Sequence, residues 1–284
     1  MGISVKRCTA LPELFQAVKA SQPPYMYLAG GTDLMVLLKA NLIPDSSWFD
    51  ISDIPELHGI AVQDGSLVIG AGTPFDEIYT NSDVQKYAQA LAEAAANVGG
   101  PQIRARGTIG GNIANGSPAA DSLPALASLG AQVHLLSERG GRCVPIEGYA
   151  LGNRRTVRAE DEIIHSISIP IRANIKGAWK ALGARKAMAI SKISLAVSAV
   201  LENGKFTYLR IGLGSVAATV KRAAEAEKVL LSGGWNCETL QEACRVIQTE
   251  ISPIDDIRST AEYRKAMSGI LLGDAMQSLF GEAC

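Results

Sequence analysis

The stretch that most constrains the fold is Gly107-Thr108-Ile109-Gly110-Gly111-Asn112-Ile113-Ala114-Asn115-Gly116-Ser117-Pro118, with Asp121 close behind. The fifteen residues from Gly107 to Asp121 hold four glycines, two asparagines, a threonine and a serine. Small polar side chains and bare main-chain amides are what a pyrophosphate or a ribose needs for close approach. A second segment, Leu28-Ala29-Gly30-Gly31-Thr32-Asp33-Leu34, runs from a short strand through a glycine pair into a helix start. Glycines there permit positive φ and leave N–H groups uncovered, a concave site for phosphate; a simple tight turn explains the pair equally well. The longer loop is not a P-loop, because no Gly-Lys-Ser/Thr follows it, and neither loop is the Gly-x-Gly-x-x-Gly of a Rossmann fold. A dinucleotide held here is held in another architecture.

Around these loops the hydrophobic periodicity predicts an α+β chain. Helices are expected over 12–20, over 33–39 with Thr32 or Asp33 as N-cap, over 83–98 up to Gly99-Gly100-Pro101, and over 117–130 with Asp121 as N-cap. Strands are expected over 25–29, 48–51, 67–69, 131–136 and 163–169, with an irregular turn over 54–60. After Pro170 the texture changes. Strands over 194–200 and 205–213 meet through Asn203-Gly204, a pair suited to a type I′ hairpin, and helices follow over 220–231, 238–250 and 261–280. This divides the chain into a mixed domain over 1–174, with subdomains of about 1–55 and 56–174, and a hairpin-and-helix domain over 175–284.

Composition removes several partner classes. Lys and Arg number 27 against 28 Asp and Glu, interspersed, for a net charge of −1, so there is no electrostatic reason to expect nucleic acid or an anionic membrane. Aromatics at 5% offer no stacking platform for single strands. The first ten residues have no apolar signal core and no stretch reaches the roughly 20 apolar residues of a spanning helix, so the expected location is cytoplasmic. Five scattered cysteines, at 8, 143, 237, 244 and 284, form neither a disulfide framework nor a cluster or zinc motif, and are expected to be buried or half-buried free thiols. His58, His134 and His165 stand apart from one another and from any Cys, and are expected to be structural, with no metal site. Arg104 and Arg106 flank the long loop at strand spacing; they either neutralise phosphate or, as expected here, form a solvated or subunit-facing pair.

Taken in order, Ala29-Gly30-Gly31-Thr32-Asp33-Leu34, Gly99-x-Pro101-Gln102-Ile103-Arg104, Thr108-Ile109-Gly110-Gly111-Asn112 and Ser117-Pro118-x-x-Asp121 resemble the FAD-binding medium subunit of molybdenum hydroxylases. That group includes xanthine dehydrogenase, carbon monoxide dehydrogenase and 4-hydroxybenzoyl-CoA reductase. Further matches run along the chain: Leu67-Val68-Ile69-Gly70-Ala71-Gly72, Asp161-Glu162-Ile163, Ile169-Pro170, Arg185-Lys186-Ala187-Met188-Ala189-Ile190, and Asp255-Asp256-x-Arg258 with Tyr263-Arg264.

The resemblance implies a p-cresol methylhydroxylase-type FAD-binding fold of two α/β subdomains, followed by a C-terminal domain of the carbon monoxide dehydrogenase flavoprotein type. It implies that Leu28, Ala29, Gly30, Gly31, Thr32, Asp33 and Leu34 line one side of the FAD pyrophosphate. Thr108, Gly110, Gly111 and Asn112 line the other, with Asn115 near phosphate or ribose, Ile109 beside the flavin ring and Ile164 near the adenine. Asp121 contacts an adenosine hydroxyl or caps its helix, and one carboxylate can hardly do both. The family often has a lysine near the flavin carbonyl, four residues before the counterpart of Arg185. Here that position is Ala181, and Lys180 stands one earlier. A one-residue shift on a strand turns a side chain to the other face, so Lys180 serves only if a bulge restores its direction.

The implied function is electron relay within a larger oxidoreductase. FAD would be in this chain, with two-iron-two-sulfur clusters on a small partner subunit and the molybdenum cofactor on a large one. Electrons would leave to NAD+, oxygen or another acceptor. No residue stands out as a catalytic acid, base or nucleophile. The alternative is a free-standing flavin oxidoreductase with its own substrate pocket.

Overall fold

In the computed structural model, which describes residues 4–185 and 188–283, three apolar clusters each lie against their own sheet. Lys186 and Ala187 of the Arg185–Ile190 motif, and Cys284, lie outside the described residues. The chain opens with β1 (Val5–Arg7), α1 (Leu11–Lys19), β2 (Tyr25–Leu28), α2 (Leu34–Lys39) and β3 (Ser47–Asp50). These strands form a parallel sheet in the order β1-β3-β2. Helix α1 carries Pro12 in its first turn and turns Leu14, Ala17 and Val18, at helical spacing, onto Phe49 of the central strand. Tyr25 and Tyr27 add their rings to Phe49 at 6.0 and 5.9 Å.

The second unit continues with β4 (Ile60–Gln63), β5 (Ser66–Gly70), α3 (Phe75–Thr80), α4 (Ser82–Tyr87), α5 (Gln89–Asn97), α6 (Pro101–Arg104), α7 (Ile109–Ala114) and α8 (Ser122–Leu129). It closes with β6 (Gln132–Ser137), β7 (Gly140–Pro145), α9 (Ile146–Tyr149), β8 (Ala150–Gly152), β9 (Arg155–Thr156) and β10 (Ile163–Pro170). Strand order is β4-β5-β10-β6-β7, antiparallel throughout. The single helix expected over 83–98 is two helices. Asn81 caps α4 by accepting from the Asp83 and Val84 amides, and the backbone leaves helical geometry at Ala88 (φ −142°, ψ 46°). Alanine-rich spacing continues undisturbed across that break, so periodicity does not report it.

After Pro170 come β11 (Lys176–Leu182), β12 (Ile193–Glu202), β13 (Lys205–Gly214), β14 (Lys221–Arg222), α10 (Ala224–Gly233), α11 (Cys237–Val246) and α12 (Ala261–Phe280). The strands form one antiparallel sheet in sequence order. Asn203 and Gly204, at φ 50° and 76°, make the expected hairpin turn. One face of β12 sends Leu195 and Val197 into the cluster under the C-terminal helices. Its other face carries Ser194, Ala196 and Ser198 toward α8, where Ser198 Oγ lies 2.8 Å from Ser128 Oγ. Small residues are required there, because a Cβ on Gly212 would overlap the Pro124 carbonyl oxygen of α8. The Asp255–Arg264 motif is a staple: buried Arg264 bonds Asp256 Oδ1 at 2.6 Å and the Ser215 carbonyl at 2.9 Å. Cys8, Cys143 and Cys244 are free thiols, whereas Cys237 is disulfide-bonded, against expectation. No helix among the described residues is long and apolar enough to cross a membrane.

Substituting Gly212→Ala forces α8 off the sheet. The expected cost is about 1–3 kcal/mol, read as a lower urea midpoint with unchanged slope; an unchanged midpoint contradicts this packing.

Candidate functional site

The two glycine segments meet main chain to main chain. A Cβ on Gly30 would overlap the Arg106 carbonyl oxygen and stand 3.2 Å from Gly107 Cα. Gly31 follows at φ +72°, a conformation that favours glycine. On the other side Gly110 sits against the end of β5. Its N–H donates to the Ala71 carbonyl at 2.8 Å, and a Cβ there would stand 2.6 Å from Ala71 Cβ. The expected loop over 107–116 is the short helix α7, because the Thr108 hydroxyl caps it by accepting from the Gly111 amide at 3.1 Å. Gly70 and Gly72 serve docking too: a Cβ on Gly70 would overlap the Leu57 carbonyl oxygen, and the Gly72 amide donates to that oxygen at 2.6 Å.

Between the joined turns lies a cleft of about 690 Å³, within the ordinary range for small-molecule sites. Ala29, Gly30, Gly31, Thr32, Asp33 and Leu34 line it from one unit; Thr108, Gly110, Gly111, Asn112, Asn115 and Ile164 line it from the other. The amides of Gly30, Gly31, Thr32 and Asp33 have no acceptor among the described residues. Asn112 Oδ1 accepts from Ser122 Oγ at 2.6 Å, and its side-chain nitrogen Nδ2 donates to no described residue. Leu28, Ile109, Asp121 and Lys180 are not on the cleft wall. Ile109, the first residue of α7, is fully buried in the core.

Lys180 is the clear departure. Strand β11 pairs with β12 in unbroken register from Lys176↔Ala199 to Leu182↔Ile193, so no bulge re-aims it. Trp179 and Ala181 face the second unit's cluster, while Lys180 shares the opposite face with Ala178 and Leu182. Asp121 does not cap α8 with its side chain. Its carboxylate accepts from Ser191 Oγ at 2.7 Å, and its carbonyl accepts from Trp179 Nε1 at 3.0 Å. Burial pushes the Asp121 carboxyl up to about 6, partly offset by the Ser191 hydroxyl. Arg104 is on helix α6, not a strand, and is half-buried away from the cleft wall. Its guanidinium donates to the Gly99 carbonyl at 3.3 Å, 3.8 Å from Asp76. Arg106 is exposed.

Sequence reading missed two cationic residues on the wall, Arg154 and Arg158. Arg154 Nη2 lies 3.7 Å from Asp33 Oδ1. Arg158 Nη1 donates to the carbonyls of Ala159, Glu160 and Glu162, and its guanidinium lies over the Tyr27 ring. Three arginines between 154 and 158 were the available signal. Also missed was an apolar wall that includes Met26, Leu37, Leu42 and Ile43.

Comparison with known proteins matches these features to one family. Residues 2–172 match the FAD binding domain in molybdopterin dehydrogenase, and residues 178–279 match the CO dehydrogenase flavoprotein C-terminal domain. The chain is 34% identical over 248 residues to the xanthine dehydrogenase FAD-binding subunit of Escherichia coli O157:H7, covering 86% of this chain and 85% of that one. It is 34% identical over 254 residues to the carbon monoxide dehydrogenase medium chain of Hydrogenophaga pseudoflava, covering 88% of each. A solved carbon monoxide dehydrogenase from Hydrogenophaga pseudoflava, lacking the Mo-pyranopterin moiety of the molybdenum cofactor, superposes with a TM-score of 0.94 at 30% identity. That match covers 100% of this chain and 99% of the other.

The Asp121 environment sets a pH dependence. Folding raises this carboxyl from 3.8 to about 6, so the folded chain binds its proton more tightly than the unfolded one. Its contribution is full below about pH 4 and is lost as pH rises through about 6, by roughly 3 kcal/mol. Urea midpoints for Asp121→Asn between pH 4 and 7 are expected to lose that fall; a slope equal to that of the parent chain contradicts it.

Proposed function

Because the chain belongs to the FAD-binding medium subunits of the molybdenum-containing dehydrogenases, we propose that its cleft holds FAD and relays electrons within a hetero-oligomer. The observation that carries this reading is the run of amides at Gly30–Asp33 with no acceptor among the described residues, on the wall of a nucleotide-sized cleft that Asn112 and Asn115 also line. Those groups suit a diphosphate and ribose: the amides donate, glycine leaves no Cβ in the way, and Arg154 brings positive charge. Ala29–Leu34, Thr108, Gly110, Gly111, Asn112, Asn115 and Ile164 are the residues assigned to hold the cofactor. The apolar wall that includes Met26, Leu37 and Ile43 suits the flat ring systems, since burying aromatic area there is favourable.

When bound, FAD supplies a ring that takes up electrons singly or in pairs. The chain's own part is to bind and orient it and to keep its diphosphate out of water. Iron–sulfur clusters on a small partner subunit feed this site, and substrate oxidation belongs to a large molybdenum subunit. The acceptor is NAD+, oxygen or another carrier. The relatives named as medium chain and FAD-binding subunit support the division of labour.

Two measurements check the reading. Isolation of the native assembly is expected to give flavin, iron and molybdenum together; flavin alone in a lone active chain overturns it. Gly30→Ala and Gly110→Ala are each expected to weaken FAD retention tenfold or more, equivalent to about 1.4 kcal/mol, measured by flavin fluorescence on release. Full flavin content in both variants contradicts the assigned site.

A further inference from the structure

The outward face of the second sheet carries a side-chain relay that the cleft does not use. Cys143 on the edge strand β7 stands directly opposite His134 on β6. Its Sγ lies 3.0 Å from His134 Nδ1, and His134 Nε2 lies 2.7 Å from Ser168 Oγ on β10. Thiol, imidazole and hydroxyl therefore cross three adjacent strands. His134 and Cys143 are nine positions apart in sequence, and the β6–β7 hairpin brings them together, against the expectation that His134 stands clear of any Cys.

Of the free thiols among the described residues, Cys143 is the exposed one. Cys8 is fully buried, and burial pushes the Cys244 thiol up to about 11. Burial also holds His134 below the usual imidazole range, so the ring is neutral at pH 7 with one N–H. The tautomer that the proposal requires has Nε2–H donating to Ser168 Oγ, which leaves Nδ1 as the acceptor beside the thiol. The approach is open. Among the described residues β7 has no strand beyond it, a Cβ on Gly140 would meet nothing within 4 Å, and one on Gly141 would meet nothing nearer than 3.5 Å. The nearby arginines are engaged elsewhere, Arg142 with Glu162 and Arg139 with Asp161. Selection there rests on sulfur chemistry rather than on charge.

We propose that Cys143 is a thiol-modification site that exchanges with low-molecular-weight disulfides, with His134 as its base and Ser168 as the positioning residue. In the step, the Sγ–H proton passes to His134 Nδ1 as sulfur attacks one sulfur of R–S–S–R. The Cys143–S–S–R bond forms, the original S–S bond breaks, and the departing R–S⁻ takes the proton back from the imidazolium. One disulfide is consumed and one is formed, so no outside oxidant is needed.

An unassisted thiol of ordinary pKa is about 3% ionised at pH 7, so assistance is bounded at roughly thirtyfold. The test treats the purified protein, in the assembly in which it is isolated, with oxidised glutathione at pH 7. Peptide mass spectrometry follows labelling at Cys143 over time. Native Cys143 is expected to react about tenfold faster than the same cysteine in the urea-unfolded chain. His134→Gln is expected to remove that advantage; Ser168→Ala lowers it and Ser168→Thr restores it, with folding of each checked by circular dichroism. Native Cys143 reacting no faster than the unfolded thiol overturns the proposal, as does a folded His134→Gln protein with the parent rate. The native-against-unfolded comparison decides the matter even if the variants do not fold.

Discussion

The architecture depends on one main-chain contact, the seat of Gly30 against the Arg106 carbonyl and Gly107. No side chain fits between them, so the first sheet's exit turn and the second unit's glycine segment share a single fixed distance. Two parallel contacts repeat the device. Gly70 and Gly72 close on Leu57, and Gly110 closes on Ala71. Backbone packed on backbone has no rotamer to adjust, so a methyl group added at these points has to displace main chain. The same geometry leaves the amides of Gly30–Asp33 without acceptors among the described residues. Unpaired main-chain donors are costly unless solvent or a ligand meets them. The contact that joins the units therefore also turns these donors toward the cleft proposed to hold the cofactor.

The C-terminal sheet is tied to this arrangement by a second close approach. Ser194, Ala196, Ser198 and Gly212 give α8 a face with almost no side-chain height, and α8 leads back through Asp121 to the cleft-lining segment. Trp179 and Ser191 clasp Asp121 from the C-terminal side. Ile190, next to Ser191, reaches the cleft wall itself. The clasp links the register of the C-terminal sheet to the shape of the cleft, so the C-terminal residues do more than cover a core.

Much of this was legible in the chain. The hairpin at Asn203-Gly204, the buried strands and the terminal helices follow from periodicity and turn chemistry, because those signals are local. The glycine segments pointed to bare amides and hence to a nucleotide, and the collinear motifs pointed to the family. What was not legible depended on long-range placement. Arg104 read as a strand residue because a single helical turn carries no period of its own. Asp121 read as either a cap or an adenosine contact; it does stand at the N-cap position of α8, but its carboxylate is taken by Ser191, 70 residues away. Lys180 depended on whether β11 carried a bulge, and pairing across a sheet is not written in one strand. Arg154 and Arg158 were passed over because their role depends on where β2 and α2 come to lie.

The most direct measurement is hydrogen–deuterium exchange on the chain with and without FAD. In its absence, the amides of Gly30–Asp33 should exchange fast, having no acceptor among the described residues. Addition of FAD should slow peptides covering 28–34 and 107–116 together, at the same cofactor concentration. Protection of one segment without the other, or of neither, would contradict a single cleft built from two joined turns.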